Sequence, residues 1–318
     1  MVSDPAPPPS SAPRPGNPFS NGLLSRLFLN EEGLRSGWSV ILYLAFWYAG
    51  LWTLTFCVVN IVLPLFPTLD LDILSPANVL VQEFLGFVSA YGAALLMARL
   101  EQRDAGLYGL PLREAFGKSF WQGVGLGLFE VSLLTGLIAA FGGYSFGKLA
   151  LHGSGILRWG AVWAVAFLFV GFSEEFLFRG YVQYRLARSI GFWPAAISLS
   201  LVFGAVHHGN PGEGMMGLAS VAVTGLVFAF ALRRTGNLWL AVGWHASFDF
   251  GETFLFSVPD SGVLYSRHLS TALLHGPSWL TGGSIGPEGS VFSFLTLGVS
   301  ALLIHLLFPA KKASFSQP

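Results

Sequence analysis

Three short segments of this chain carry side chains whose types and spacing fit the hydrolysis of an acyl bond. The first, Phe172-Ser173-Glu174-Glu175-Phe176-Leu177-Phe178-Arg179, sets two adjacent carboxylates among aromatic residues. On a helix Arg179 falls one turn beyond Glu175, at the i, i+4 spacing that lets the two pair. Glu174 projects about 100° away around the helix axis, so it faces different surroundings. One glutamate held ionised by arginine, beside another that is desolvated and inclined to hold a proton, is the division of labour that acid–base chemistry requires. The second segment, Phe203-Gly204-Ala205-Val206-His207-His208, supplies an imidazole. The third, Trp244-His245-Ala246-Ser247-Phe248-Asp249, repeats the i, i+4 spacing with His245 and Asp249, so the carboxylate orients the imidazole or acts beside it. A Glu that takes a proton from water, a His that positions that water and further donors where an oxyanion develops make up a hydrolytic set. No protein nucleophile is needed, and neither Ser173 nor Ser247 sits in a Gly-x-Ser-x-Gly elbow. Zinc on His207 and His245 is the other route to an activated water. The chain contains no His-Glu-x-x-His, so the metal stays open between zinc and none.

The elements that must position these residues are membrane helices. Of 318 residues, 53% are hydrophobic and 11% charged, whereas soluble domains carry about 25% charged residues. Lys plus Arg and Asp plus Glu are 17 each, so net charge offers nothing to nucleic acid and no such partner is expected. Apolar stretches near 38–63, 78–99, 118–141, 157–178, 193–209, 214–232, 237–257 and 288–308 approach the roughly 20 residues that cross a bilayer core. The fold expected is all-α, a polytopic transmembrane bundle of about eight spans. Residues 1–36 are expected to form a disordered Pro/Ser-rich tail and juxtamembrane segment, 37–310 the transmembrane domain with its three polar segments inside about 130–260, and 311–318 a short cytosolic tail. No cleavable signal peptide precedes the first span, and Cys57 has no Cys partner.

Basic residues alternate between loops as the positive-inside rule requires. Arg14, Arg26 and Arg35 precede the first span; Arg99, Arg103, Arg113 and Lys118 surround the loop between the second and third. Arg179, Arg185 and Arg188 follow the fourth, Arg233 and Arg234 the sixth, and Lys311 and Lys312 the eighth. The opposite loops hold mainly Lys148, Arg158 and Arg267, which places both termini in the cytosol. Trp38, Trp121, Trp193 and Trp239 near span ends read as interface anchors. If the helix bearing Glu174 runs to about Arg188 and turns at Ile190 to Trp193, then Glu174 and His207 stand at nearly equal height in an antiparallel hairpin. His245 and Asp249 fall nearer the cytosolic side, so the site is expected to open to the cytosol. The fifth and sixth spans are short and divided by the breaker His208-Gly209-Asn210-Pro211-Gly212-Glu213, which leaves room for a re-entrant segment.

On Glu174-Glu175-x-x-x-Arg179, Phe203-x-x-x-His207 and His245-x-x-x-Asp249, in that order on three successive helices, the chain resembles the CPBP, or Abi, family of membrane proteases to which the type II CAAX prenyl endopeptidases belong. The resemblance implies a multi-pass intramembrane peptidase in which Glu174 and His207 activate water, His245 and Asp249 stabilise the oxyanion, and Arg179 holds Glu175. The family commonly has Asn at the position of Asp249. A peptide or protein substrate, lipidated in the CAAX case, and membrane lipid are the partners implied; the bacterial cytoplasmic membrane is the expected location. Weighed against this are a structural ion pair for Glu175 and Arg179, a helix-packing hydrogen bond for His245 and Asp249, and two other functions. One is an ion- or proton-coupled transporter, since buried Glu and His also mark ion paths, although no inverted repeat is visible. The other is a catalytically silent membrane scaffold. Glu83, Glu130 and Glu252 lie in or near spans without belonging to any motif; His208 reads as structural, and His152, His268, His275 and His305 as incidental.

Overall fold

In lipid the backbone must satisfy its own polar groups, and long apolar runs therefore become helices. The computed structural model describes residues 27–309 except 31, 32, 70 and 213; residues 1–26 and the tail from 310 lie outside the described residues. Each apolar stretch found in the sequence is helical. Helix α1, Ser36–Cys57, continues through a π turn and a 3-10 turn to Leu65. It is followed by α2, Pro76–Glu101, and α3, Lys118–Ala140. Helix α4, Ser154–Glu175, passes through a π turn at Phe176–Val182 into α5, Gln183–Ile190. Then come α6, Phe192–Val206, α7, Met215–Thr235, and α8, Trp239–Phe250, which ends in a second π turn at Gly251–Leu255. The four-residue α9, Ser278–Thr281, and α10, Val291–Leu307, complete the chain. Among the described residues, five segments are long and apolar enough to cross a membrane: Ser36–Leu65, Pro76–Glu101, Lys118–Ala140, Ser154–Ile190 and Met215–Thr235. Helices α6, α8 and α10 are shorter. The little sheet present consists of β1, Leu29–Asn30, with β2, Gly33–Leu34, and of β3, Tyr144–Ser145, with β4, Leu273–Leu274; both pairs are antiparallel.

Sequence sets where the helices stop. Ser75 accepts a hydrogen bond from the Asn78 N–H with Pro76 at the first turn of α2, the cap and proline that open a helix. Helix α7 stops at Gly236, whose φ of 80° is left-handed, and the Asn237 carboxamide oxygen takes the Trp239 N–H at 3.1 Å to start α8. Packing then depends on small residues. A Cβ on Gly123 or Gly127 of α3 would strike the α8 backbone, and one on Gly243 of α8 would strike the Phe120 carbonyl. The pair Gly123-x-x-x-Gly127 thus lets two helix backbones touch, which is how membrane helices associate when burying apolar surface yields nothing against lipid. Gly171 of α4 closes on α8 from another side. Helix α8, the bearer of His245 and Asp249, is in this way wedged between α3 and α4.

The bundle has two distinguishable ends. At one, the Arg185 guanidinium donates to the Leu34 carbonyl at 2.6 Å, the Ser189 hydroxyl to Ser36 at 2.6 Å, Arg103 to the Tyr184 hydroxyl at 3.1 Å, and the Asn237 amide to Glu114 at 2.6 Å. At the other, Ser266 N–H donates to the Leu74 carbonyl, Ala150 N–H to Leu269 and Gly262 N–H to Ile285. Two details of the sequence reading are corrected here. Arg179 and Arg185, counted as loop charges, are buried within the continuous α4–α5 run; Arg185 pairs with Glu101 at 3.6 Å. The Arg and Lys bias between the ends persists through Arg99, Arg103, Arg113, Lys118, Arg188, Arg233 and Arg234. Trp239 is buried rather than lipid-facing, because the loop after α2 folds over it and the Pro111 carbonyl receives its indole N–H at 3.2 Å.

Candidate active site

The two adjacent glutamates at the end of α4 part company, as their 100° separation on a helix requires. Glu175 is fully buried, and its Oε1 accepts from Arg179 Nη1 at 3.1 Å. Glu174 is partly exposed and lines a cavity of about 710 Å³. Arg179 sits in the π turn, a local widening of the helix common at functional sites. Its guanidinium is received by an aromatic and glycine cradle: its central carbon lies 4.1 Å from the Phe203 ring centroid, and a Cβ on Gly225 would collide with Nη2. Neutral packing of this kind confers cation–π stabilisation of about 2 kcal/mol when desolvated. The chain breaks just beyond, at Gly180, where ψ is −115°.

His245 is the hub. Its Nδ1 lies 3.0 Å from Glu175 Oε1, and its Nε2 lies 3.5 Å from Asp249 Oδ2 and 3.7 Å from Glu174 Oε2. Phe228 stacks on the ring with centroids 5.3 Å apart. With a carboxylate facing each nitrogen, the imidazolium is the form that uses both N–H groups. Three carboxylates are therefore set against two cationic groups, Arg179 and His245. Glu175 does more than pair with Arg179, because the same oxygen also orients the imidazole. His207 is half-buried in the 3-10 turn His207–Gly209 at the end of α6. Its Nδ1 lies 2.7 Å from the Phe203 carbonyl, so Nδ1–H donates there and Nε2 is an acceptor in the neutral ring. His207, Glu174, His245 and Asp249 line one cavity. No hydrogen bond or ion pair joins Glu174 to His207 among the described residues; they share a space rather than a contact.

Other ionisable residues enter this space that no motif marked. Glu83 of α2 and Glu130 of α3 line the cavity, and Glu130 accepts from Trp244 Nε1 at 2.7 Å and from the Ser300 hydroxyl at 3.1 Å. Their signal in the sequence was an acid inside an apolar run, without a neighbour to say what it faced. The segment 260–265 and Glu288 also line the cavity. Asp260, outside the spans, has its proton affinity raised well above the usual carboxylate range by burial first, then by the Asp249 and Glu288 carboxylates. His208 is exposed, and it is the His207 carbonyl that receives the Asn210 N–H at 2.9 Å.

The cavity reaches the end of the bundle poor in Lys and Arg, opposite the basic end toward which the opening was expected. Ile73, Leu74, Asn210, Pro211 and 260–265 rim the cavity, all at the end poor in Lys and Arg, and none of its lining comes from the basic loops. His207 and His245 belong, among the described residues, to no group of three ligand atoms close enough to share an ion. Among the described residues the one group with three ligand atoms close enough to share an ion is Glu252, Asp260 and Glu288.

Residues 156–251 match the family model "Type II CAAX prenyl endopeptidase Rce1-like". No curated protein and no solved structure matches the chain. The matched segment runs from α4 to the start of the second π turn and contains all three motifs. The resemblance to the CPBP family is thus a relation carried by this segment, in a helical membrane protein.

Proposed function

We propose, from the relation of residues 156–251 to the type II CAAX prenyl endopeptidases, that this protein is an intramembrane endopeptidase. The observation that carries the reading is the split between the two glutamates: Glu175 is buried against Arg179 and His245, while Glu174 faces the cavity 3.7 Å from His245. Glu174 is the general base that takes a proton from water. His207, with Nδ1–H donating to a carbonyl, offers Nε2 as the second acceptor for that water. The water oxygen adds to the scissile carbonyl carbon, and the charge that develops on the carbonyl oxygen meets the His245 Nε2–H. Glu174 then returns its proton to the leaving amine. Asp249 holds the imidazole rather than contacting the oxyanion as an anion. The cavity is walled by Leu134, Phe203, Val221, Phe228 and Phe248, which suits an extended peptide carrying an apolar group.

Eight membrane crossings are part of this reading, with α6, α8 and α10 supported by their neighbours and both termini in the cytosol of a bacterial membrane. On that topology the cavity mouth faces away from the cytosol, and the substrate is a membrane or leader peptide presented there, with a prenylated CAAX peptide as the first probe. The test is cleavage of a quenched peptide by the chain reconstituted in sealed vesicles of known orientation. Glu174→Gln is expected to lower kcat by about 10²- to 10⁴-fold, the usual worth of a general base, and wild-type cleavage is expected to survive a zinc chelator. Cleavage unchanged in the variant sinks the assignment of Glu174, and cleavage only of peptide supplied to the basic side sinks the proposed sidedness.

A further inference from the structure

Outside the hydrolytic set, three more carboxylates meet at the cavity's rim. Glu252 lies in the π turn after α8, Asp260 in the segment that follows, and Glu288 in the 3-10 turn Pro287–Gly289 before α10. One oxygen from each lies within 4.8 Å of the others. Glu252 is fully buried, and neither of its carboxylate oxygens has a hydrogen bond of ordinary geometry; only the Glu288 backbone N–H comes near it. Buried carboxylates do not stay unpartnered in native proteins without a reason such as an ion. No Lys or Arg ion pair reaches Glu252 or Asp260 among the described residues. Neutral donors reach the cluster: the Thr253 hydroxyl donates to Asp260 Oδ2 at 3.0 Å, and the Ser261 N–H donates to Glu288 Oε1 at 2.5 Å.

We propose that Glu252, Asp260 and Glu288 bind a divalent, oxygen-seeking cation that clips the 259–265 segment to α8 and α10. The donors are carboxylate oxygens only, with no imidazole or thiolate, which selects calcium or magnesium over zinc. Calcium takes oxygens at about 2.3–2.6 Å, so two ligands across the ion lie roughly 4.6–5.2 Å apart, and a triangle with edges up to 4.8 Å admits it. Magnesium demands near-ideal octahedral geometry and is usually held through one or two carboxylates with retained waters, whereas three protein carboxylates suit the more tolerant calcium. Calcium is accordingly the ion assigned. Asp260 and Glu288 also line the cavity, which gives the ion a path in. The segment so anchored forms part of the cavity rim, and α8 carries His245 and Asp249, so the ion would fix the rim to the helix that bears the site.

The test uses the full chain, purified in detergent and stripped with a chelator, with calcium or magnesium chloride added. Titration calorimetry is expected to give one calcium per chain, bound more tightly than magnesium, and saturating calcium to raise Tm by about 5 °C, because an ion that binds only the folded state stabilises it. In Glu252→Gln this rise disappears, while the variant in chelator is as stable as the wild type or more so, having lost an unpaired buried acid. Asp260→Asn is expected to weaken calcium at least ten-fold and serves as the second variant if the first does not fold. Absence of saturable calcium and magnesium binding to the stripped wild type overturns the site, as does binding undiminished in both variants; tighter magnesium overturns the choice of ion. Binding and unfolding are read here, not proteolysis, so the result stands apart from the peptidase reading.

Discussion

Two buried acidic regions lie within a few turns of each other along α8, and they differ in how the protein balances their charge. Around His245, three carboxylates are matched by two cationic side chains supplied by the chain, with the Arg179–Glu175 pair at 3.1 Å and the imidazole at 3.0 Å from Glu175. Around Glu252 no Lys or Arg pairs with that carboxylate or with Asp260 among the described residues: Glu252 is buried without a hydrogen bond of ordinary geometry, and Asp260 accepts from a threonine hydroxyl. The first region has most of its charge offset by the chain's own cations and is therefore preorganised, which electrostatic catalysis requires. The second depends on something from outside. Burial alone does not distinguish a catalytic acid from a binding acid; what differs is which charge the fold itself places opposite.

The comparison breaks most visibly at Arg179. Arg179→Met keeps the volume of the side chain but strands Glu175 beside His245 with one cation where there were two. Removing one partner of a buried ion pair costs about 3–5 kcal/mol, and the loss is expected in thermal unfolding of the detergent-solubilised chain. A variant as stable as the wild type would mean that the pair is solvated and the compensation argued here is not needed. The double variant Arg179→Met with Glu175→Gln is expected to recover part of the loss, since no unpaired charge is then left.

Glu175→Gln sharpens the same contrast with a smaller effect. The amide still accepts from Arg179 but no longer places a charge against the imidazole Nδ1, so His245 is less firmly held as an imidazolium. The expected outcome is a kcat about 10²-fold lower, close to 3 kcal/mol of transition-state stabilisation, with KM little changed. A rise in KM at constant kcat would assign Glu175 to substrate binding instead.

How much of this was legible in the sequence follows from the range of the interactions. Glu175 with Arg179 and His245 with Asp249 are i, i+4 pairs, so helical periodicity alone brought them together, and long apolar runs located every helix that bears them. Glu130 meets Trp244, Thr296 and Ser300 across three helices, and Gly225 makes room for Arg179 from another one. No local pattern encodes such contacts. The second acidic region escaped for the same reason, because Glu252, Asp260 and Glu288 span 36 positions, and only the folding back of the outer segment joins them. Which end of the bundle the cavity reaches was not legible either, because it depends on where the segments at 73–74, 210–211 and 260–265 fold, and helix height says nothing of that.

The smallest expected effect bears on the second region. Thr253 is buried, and its hydroxyl donates to Asp260 Oδ2 at 3.0 Å. Thr253→Val preserves the shape and removes that donor, which costs about 1 kcal/mol for a typical hydrogen bond. If the chain alone stabilises Asp260, that hydroxyl is its chief support, and the loss in chelator should be at the upper end of the range, near 3 kcal/mol for a buried acceptor left bare. If an ion takes the charge, Oδ2 has a second partner when calcium is present, and the penalty should shrink on adding it. Unfolding of Thr253→Val with and without calcium therefore reads the interplay directly. A penalty that is large and indifferent to calcium would return the cluster to the internally balanced kind and erase the distinction between the two regions.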